Sequence, residues 1–279
     1  MTARRGSPRV EPLFLAGPAG PIFATYYAAR RTIGRGLSLV YVPPFAEEMN
    51  CSRRMAALQA RRLADIGIGA LLIDLYGTGE SGGGFADARW RTWLGDIAAA
   101  AIWLKSRTSD RIGLWGLRLG ALLALQAMAA QPDAFHRALL WQPVADGKAL
   151  LTQFLRLRLA ASLAETGEQE KTSTMRQRLA AGELLEIAGY ELAPELAQAI
   201  DAAKLSDIVI PRGARIDWIE LTQSPDQSLS LGGRKIVESW RQAGASVTID
   251  VVIGEPFWSI QETALVPQLF EATERLLRQ

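Results

Sequence analysis

A chain of 279 residues with 49% hydrophobic content can hide about three quarters of its unfolded surface in one core, and a single domain of this length is ordinary. Its 31 basic and 29 acidic residues are scattered and leave a net charge of +2, which provides no electrostatic footprint for nucleic acid. One cysteine, Cys51, and one histidine, His136, exclude an intrachain disulfide and a Cys/His zinc site; no metal and no cofactor are expected.

The first ten residues are basic, and residues 1–9 are expected to form a loose arm. Gly17, Pro18, Gly20 and Pro21 break the apolar stretch that follows, so no signal peptide is read. No run approaches the roughly 18 apolar residues of a spanning helix. The expectation is a cytoplasmic protein without a membrane span.

Residues 13–15 and 22–29 read as two strands joined by the Gly/Pro turn, an antiparallel start to a sheet. LSLVYV at 37–42 is a continuous apolar run of the kind found in buried parallel strands. After PPFAEEMNCSRRM (43–55), Asn50 or Ser52 is the expected N-cap of an amphipathic helix reaching about Asp65. A buried strand at 68–75 leads into DLYGTGESGGG (74–84), whose glycines suit a sharp loop, and a helix spans 90–106. Residues 111–115 form a strand, 116–120 a tight turn, and 119–130 a buried helix stopped by Pro132. Another strand occupies 137–141. From 146 to about 207 leucine, alanine and arginine dominate, predicting a helical insertion far longer than a usual crossover of about a dozen residues. Strands return at 214–221 and 247–253 around a helix at 230–243, and a last helix runs from about 260 to 277. Strand alternating with helix predicts a doubly wound, mostly parallel sheet covered on both faces, one domain over 1–279 with the helical insertion inside it.

A strand that turns on G-x-x-x-G into a helix is the nucleophile elbow of α/β hydrolases, whose middle residue is a serine. In GLRLG (116–120) that residue is Arg118. DLYGTGESGG (74–83) is similar to the loop after the fourth strand of many α/β hydrolases. PPFAEEMN (43–50), DARW (87–90), WGLRLGA (115–121), LLWQPV (139–144), TQFLRLRLA (152–160) and EPFW (255–258) together resemble the group called exosortase A system-associated hydrolase 2. The resemblance implies an α/β-hydrolase fold with a helical lid insertion. It also implies a bacterial protein encoded with machinery for exopolysaccharide production and for sorting proteins with PEP-CTERM tails. Kinship of fold does not establish chemistry.

The triad of these folds runs Ser, then Asp or Glu, then His after the last strand. Arg118 stands for the serine, and a guanidinium stays protonated with no lone pair to attack. The loop after the last strand reads GEPFWS (254–259), without histidine; His136 lies eighteen residues past the elbow, out of order. Asp226, in QSPDQSLS (223–230), is the candidate acid, with a turn role beside Pro225 as its other reading. A Ser-His-Asp mechanism is therefore not expected. Other candidate nucleophiles are Cys51, which lacks a nearby base, and Ser81 in the glycine loop, where serine commonly bonds backbone. Glu47 or Glu48 with Asp74 is a further candidate, as a carboxylate pair activating water.

The elbow places Arg118 beside a helix N-terminus, where free N–H groups favour anions and a guanidinium adds a forked donor. One reading is a pocket for a small anion such as a sugar phosphate, an acidic sugar or an acidic peptide end, lined by Arg118, Leu119, Phe45, Glu47, Glu48, Gln142 and Trp258, with Trp141 and Phe257 nearby. The other is that Arg118 pairs internally with Glu47, Glu48 or Asp226. In the insertion, Arg156 and Arg158 interleave with Phe154 and leucines, as in a helix packing on the body or touching a membrane surface or partner. The expected function is non-catalytic binding of an anion, or of a protein partner in exopolysaccharide or PEP-CTERM machinery. The alternative is an atypical hydrolase of ester, thioester or glycan-linked acyl groups.

Overall fold

The computed structural model describes residues 9–30, 36–165, 171–224, 228–260 and 264–279. Its centre is an eight-stranded sheet. In chain order the elements are β1 (Val10–Ala16), β2 (Pro21–Tyr27), β3 (Leu37–Val42), α1 (Glu47–Asp65), β4 (Gly69–Ile73), α2 (Trp90–Arg107), β5 (Arg111–Leu117), α3 (Leu119–Ala130) and β6 (Arg137–Trp141). After a long insertion come β9 (Arg215–Thr222), α7 (Leu231–Gln242), β10 (Ser246–Ile253) and α8 (Pro267–Arg278). The spatial order is β1-β2-β4-β3-β5-β6-β9-β10. β1 pairs β2 antiparallel and β2 pairs β4 antiparallel; all other neighbours are parallel.

Strand alternation sorts the side chains into two cores. Ile112 and Leu114 of β5 join Ala138, Leu140, Ile216 and Trp218 on one face, beneath α2, α3 and α7. Trp115 and Leu117 join Leu139, Trp141, Ile219 and Leu221 on the other, beneath α1 and α8. This two-sided burial is why β3, β5 and β6 read as nearly unbroken apolar runs. A buried ion pair ties the second face together: Arg137 Nε donates to Asp217 at 2.5 Å, and its Nη2 donates to the Leu276 carbonyl in the last turn of α8.

Chain direction reverses between β3 and β5: the crossover through α1 moves to β4, and the next, through α2, passes back to β5. In open α/β sheets the crevice at such a switch point, beyond the carboxyl ends of the strands, is where ligands bind. The segment after β3 and the elbow after β5 meet there. They approach so closely that a Cβ on Gly120 would strike the carbonyl oxygens of Val42 and Pro43, and one on Gly116 would strike the backbone of Ala121.

The insertion leaves after β6 and returns before β9. It holds α4 (Gly147–Glu165), α5 (Thr172–Ala180), β7 (Leu185–Ile187), β8 (Tyr190–Leu192) and α6 (Pro194–Ala202). Its two ends meet at a neck where Gly147 N–H donates to the Ala203 carbonyl and Leu205 N–H to that of Ala145. A wholly helical insertion was expected, but β7 and β8 form a hairpin. Its turn is built on Ala188 (φ 49) and Gly189 (φ 84), and alanine there hides the usual Asn-Gly signal. α1 begins one turn earlier than expected. Neither Asn50 nor Ser52 caps it: Ser52 Oγ donates to the Glu48 carbonyl, the back-bonding habit of serine inside helices. The last helix starts at Pro267 rather than near 260, since proline at the first helical position suits a start. Residues 1–8 of the expected arm lie outside the described residues, while Arg9 already accepts a bond from Ala28 N–H.

The glycine loop after β4 is pinned by Asp96 of α2, which is fully buried and accepts from Tyr76 N–H at 2.8 Å. Burial pushes its carboxyl up to about 6, against a smaller lowering by that N–H. Two predictions follow from these packing facts. Gly120→Ala is expected to cost about 1–3 kcal/mol in urea unfolding, because backbone, not a flexible side chain, occupies the space. The folded chain holds the Asp96 proton more tightly than the unfolded chain, so its ionisation removes stability as pH rises from about 4 to 6. The stability of Asp96→Asn relative to the parent should therefore be about 2–3 kcal/mol more favourable above this window than below it. A difference that stays flat across that range would dismiss burial as the cause.

Candidate ligand site at the strand switch point

Among the described residues, three of the four non-glycine residues with positive φ cluster at the carboxyl ends of the central strands: Ala46 after β3, Arg118 after β5 and Gln142 after β6. Ala46 (φ 51, ψ −126) and Arg118 (φ 56, ψ −119) share one strained conformation, each as the N-cap of the helix that follows. Such backbones cost about 1–3 kcal/mol apiece and persist where the surroundings over-determine them. For Arg118 the surroundings are explicit. Its N–H donates to the Trp141 carbonyl at 3.0 Å, and its carbonyl accepts from Ala121 and Val144.

The elbow aims Arg118 at Glu48, in the first turn of α1. Nε and Nη2 both donate to Glu48 Oε1, at 3.2 and 3.1 Å. The guanidinium carbon lies 5.1 Å from the ring centre of Trp258, in the loop where a triad histidine would stand. Both members of the pair are largely shielded, with side-chain exposures of 15% and 19%. Desolvation raises the Glu48 carboxyl above the ordinary carboxylate range, and Arg118 pulls it back part of the way. Its Oε2 is buried and accepts no hydrogen bond among the described residues.

The other expected site residues divide. Phe45 and Leu119 line one small void behind the elbow. Phe45 is buried against Phe85, Trp93 and Phe154, so α4 of the insertion rests directly on the segment after β3. Glu47 faces outward and accepts from Asn50 Nδ2 at 3.2 Å and from the Tyr190 hydroxyl at 2.9 Å. Gln142 Nε2 donates to Glu220 at 3.3 Å, and its Oε1 accepts from Leu221 N–H. Trp141 and Phe257 belong to the core, Trp141 donating to Thr273 Oγ1.

The alternative nucleophiles have other employment. Ser81 Oγ donates to the Asp74 carbonyl and accepts from Phe23 N–H, stitching the glycine loop to β2. Burial, Glu47 and Glu48 raise the Cys51 thiol, the direction opposite to a reactive thiolate. Asp74 is held bidentately by Arg53 at 3.1 and 2.9 Å and also accepts from Glu80 N–H. Glu47, Glu48 and Asp74 thus each have their own donor and do not converge as a pair. His136 is exposed at the entry to β6, a strand's length or roughly 17 Å from the carboxyl edge. Asp226 lies outside the described residues. Among the described residues no group of three His, Cys, Asp or Glu side chains is placed to hold a metal ion, and no helix is long and apolar enough to cross a membrane.

Two participants escape a reading of the sequence. Glu220, near the end of β9, accepts from Trp218 Nε1 at 2.8 Å; burial raises its carboxyl, and the bonds from Trp218 and Gln142, then the more weakly acting Arg118, lower it. An acidic residue in an apolar strand was the available signal. Tyr190 is the other: it stands on the unforeseen hairpin, its ring packed on Phe85 and Phe154.

The profile of the serine aminopeptidase S33 family matches residues 46–185, half of the chain. No curated protein matches in sequence. Solved structures match over nearly the whole length. Est1E from Butyrivibrio proteoclasticus, with ferulic acid bound, is 16% identical at a TM-score of 0.67, covering 96% of this chain and 98% of that one. A thermostable carboxyl esterase from Bacillus coagulans in complex with glycerol is 14% identical at 0.63, with 96% and 98% covered. An α/β serine hydrolase without lid from Xanthomonas campestris is 15% identical at 0.58, with 97% and 94% covered. At these identities the likeness is one of fold, and it agrees with the strand order and elbow geometry above. With its family profile running from the start of α1 through β6 and on through α4 and α5 of the insertion, the chain belongs to the serine aminopeptidase S33 family of α/β hydrolases.

Proposed function

We propose that this protein is a non-catalytic member of its family that binds an anionic ligand or partner at the elbow through Arg118. The observation that carries the reading is the substitution of both chemical ends of the site. A permanent cation stands at the nucleophile position, and an indole, Trp258, lies against it where a histidine base would be. In subtilisin, loss of nucleophile or base alone costs about a millionfold in turnover. The ligand is an acidic sugar, a sugar phosphate or an acidic peptide end, and the insertion over 146–207 acts as its lid. The resemblance of PPFAEEMN, WGLRLGA and EPFW to the exosortase A system-associated group supports a cytoplasmic role beside exopolysaccharide or PEP-CTERM machinery.

A second reading has its own support. The strained elbow backbone is retained, Glu48 keeps one oxygen without a hydrogen-bond partner among the described residues, and the similar structures include a carboxyl esterase and Est1E with ferulic acid bound. On that reading Glu48 activates water against an ester, thioester or glycan-linked acyl group. Turnover of p-nitrophenyl esters of several chain lengths separates the two, with fluorophosphonate labelling alongside. The binding reading expects neither turnover nor label. It also expects calorimetric affinity for sugar phosphates or acidic sugars that falls about 10- to 100-fold in Arg118→Ala, the loss of a charged hydrogen-bond donor. Ester turnover that vanishes in Glu48→Gln would move the assignment to the hydrolase.

A further inference from the structure

A guanidinium offers an oxyanion two forked edges: side-on, through Nε and Nη2, and end-on, through Nη1 and Nη2. In Arg118 the side-on edge is taken, because Glu48 Oε1 accepts from both Nε and Nη2. One face of the plane lies against Trp258. Among the described residues Nη1 donates no hydrogen bond, so what the elbow leaves to a ligand is the end-on edge. A ligand docking there meets charge already in place, with Glu48 in contact with the guanidinium and Glu220 within reach of its field. Among the described residues Glu48 has no second donor to spread its charge, since its Oε2 accepts no hydrogen bond there. The other titratable groups that interact with it are Tyr41 of β3 and Cys51 of α1, and Glu47 stands beside it; Arg118 is the cation acting on it. A carboxylate adds one negative charge to this arrangement and matches a planar fork. A phosphate monoester adds nearly two near neutral pH.

Resting on the reading of the elbow as an anion site, we infer that Arg118 accepts a carboxylate end-on through Nη1 and Nη2, and that Glu48 is the specificity-determining residue that excludes doubly charged phosphate. The carboxylate belongs to an acidic sugar or to the end of a peptide, two sources with one recognition chemistry.

Calorimetric titration of the full chain at about pH 7.5, where the phosphate carries nearly two charges, tests this with three probes: D-glucuronate, N-acetyl-alanyl-alanine and D-glucose 6-phosphate. At least one carboxylate is expected to bind about tenfold or more tightly than the phosphate, and which one does so identifies the source. Glu48→Gln keeps the shape and removes the charge, and it is expected to bring phosphate to within about threefold of the carboxylate. In the unaltered protein, lowering the pH to about 5 leaves the phosphate ester singly charged and should narrow the same ratio, so the outcome does not hang on the folding of a variant. Phosphate that binds as tightly as the carboxylates near neutral pH overturns the inference while sparing Arg118 as an anion site. So does a ratio moved by neither Glu48→Gln nor pH. Absence of binding by all three probes overturns the anion site itself, and this inference with it.

Discussion

A helix N-terminus already concentrates about half a positive charge in its unpaired N–H groups, and a guanidinium placed there adds to what should be opposed. The protein answers that repulsion with Glu48. The carboxylate occupies the first turn of α1, where it complements that helix's own dipole, and reaches across the switch point to Arg118 on the neighbouring helix. One negative charge therefore serves two helix N-termini and one cation. Trp258 supplies the remaining support, an aromatic face against the guanidinium. Much of the local architecture follows from the need to bring these three groups, from three distant segments, into contact.

The backbone makes that contact possible. Ala46 and Arg118 take nearly the same strained conformation at the ends of β3 and β5, and the helices after them start side by side because Gly120 lets the elbow touch the carbonyls of Val42 and Pro43. The scaffold that elsewhere presents a serine is intact in geometry here, while the side chains on it are suited to holding charge. The insertion completes the arrangement from above. Phe154 seals Phe45, and the Tyr190 hydroxyl bonds Glu47, so the segment after β3 is gripped from the insertion and from the sheet together.

The fold was legible where a segment's environment is uniform. α3 and β6 are buried on all sides, and their apolar runs mark their ends at Leu119–Ala130 and Arg137–Trp141 without ambiguity. Where tertiary contacts override local preference, sequence patterns mislead. Asn50 and Ser52 look like caps, yet α1 starts at the strained Ala46, a conformation no side-chain type announces. The hairpin at 185–192 was hidden because Ala188 adopts positive φ, which alanine rarely does. Glu220 lies within an apolar strand, and its place beside Gln142 depends on pairing between strands some eighty positions apart.

From its residues alone the chain declared that it is an α/β hydrolase by scaffold and that neither the nucleophile nor the base of that scaffold is in place, because composition and order are local facts: GLRLG carries Arg118, and GEPFWS carries no histidine. The partner of Arg118 was another matter. Glu47 and Glu48 are adjacent in sequence, but helical geometry sends one toward Tyr190 and solvent and the other toward the elbow. The contact between Glu48 and Arg118 spans seventy residues, and that with Trp258 twice as many. Strand order and crossover direction set those distances, so the tertiary structure alone decided which carboxylate meets the cation.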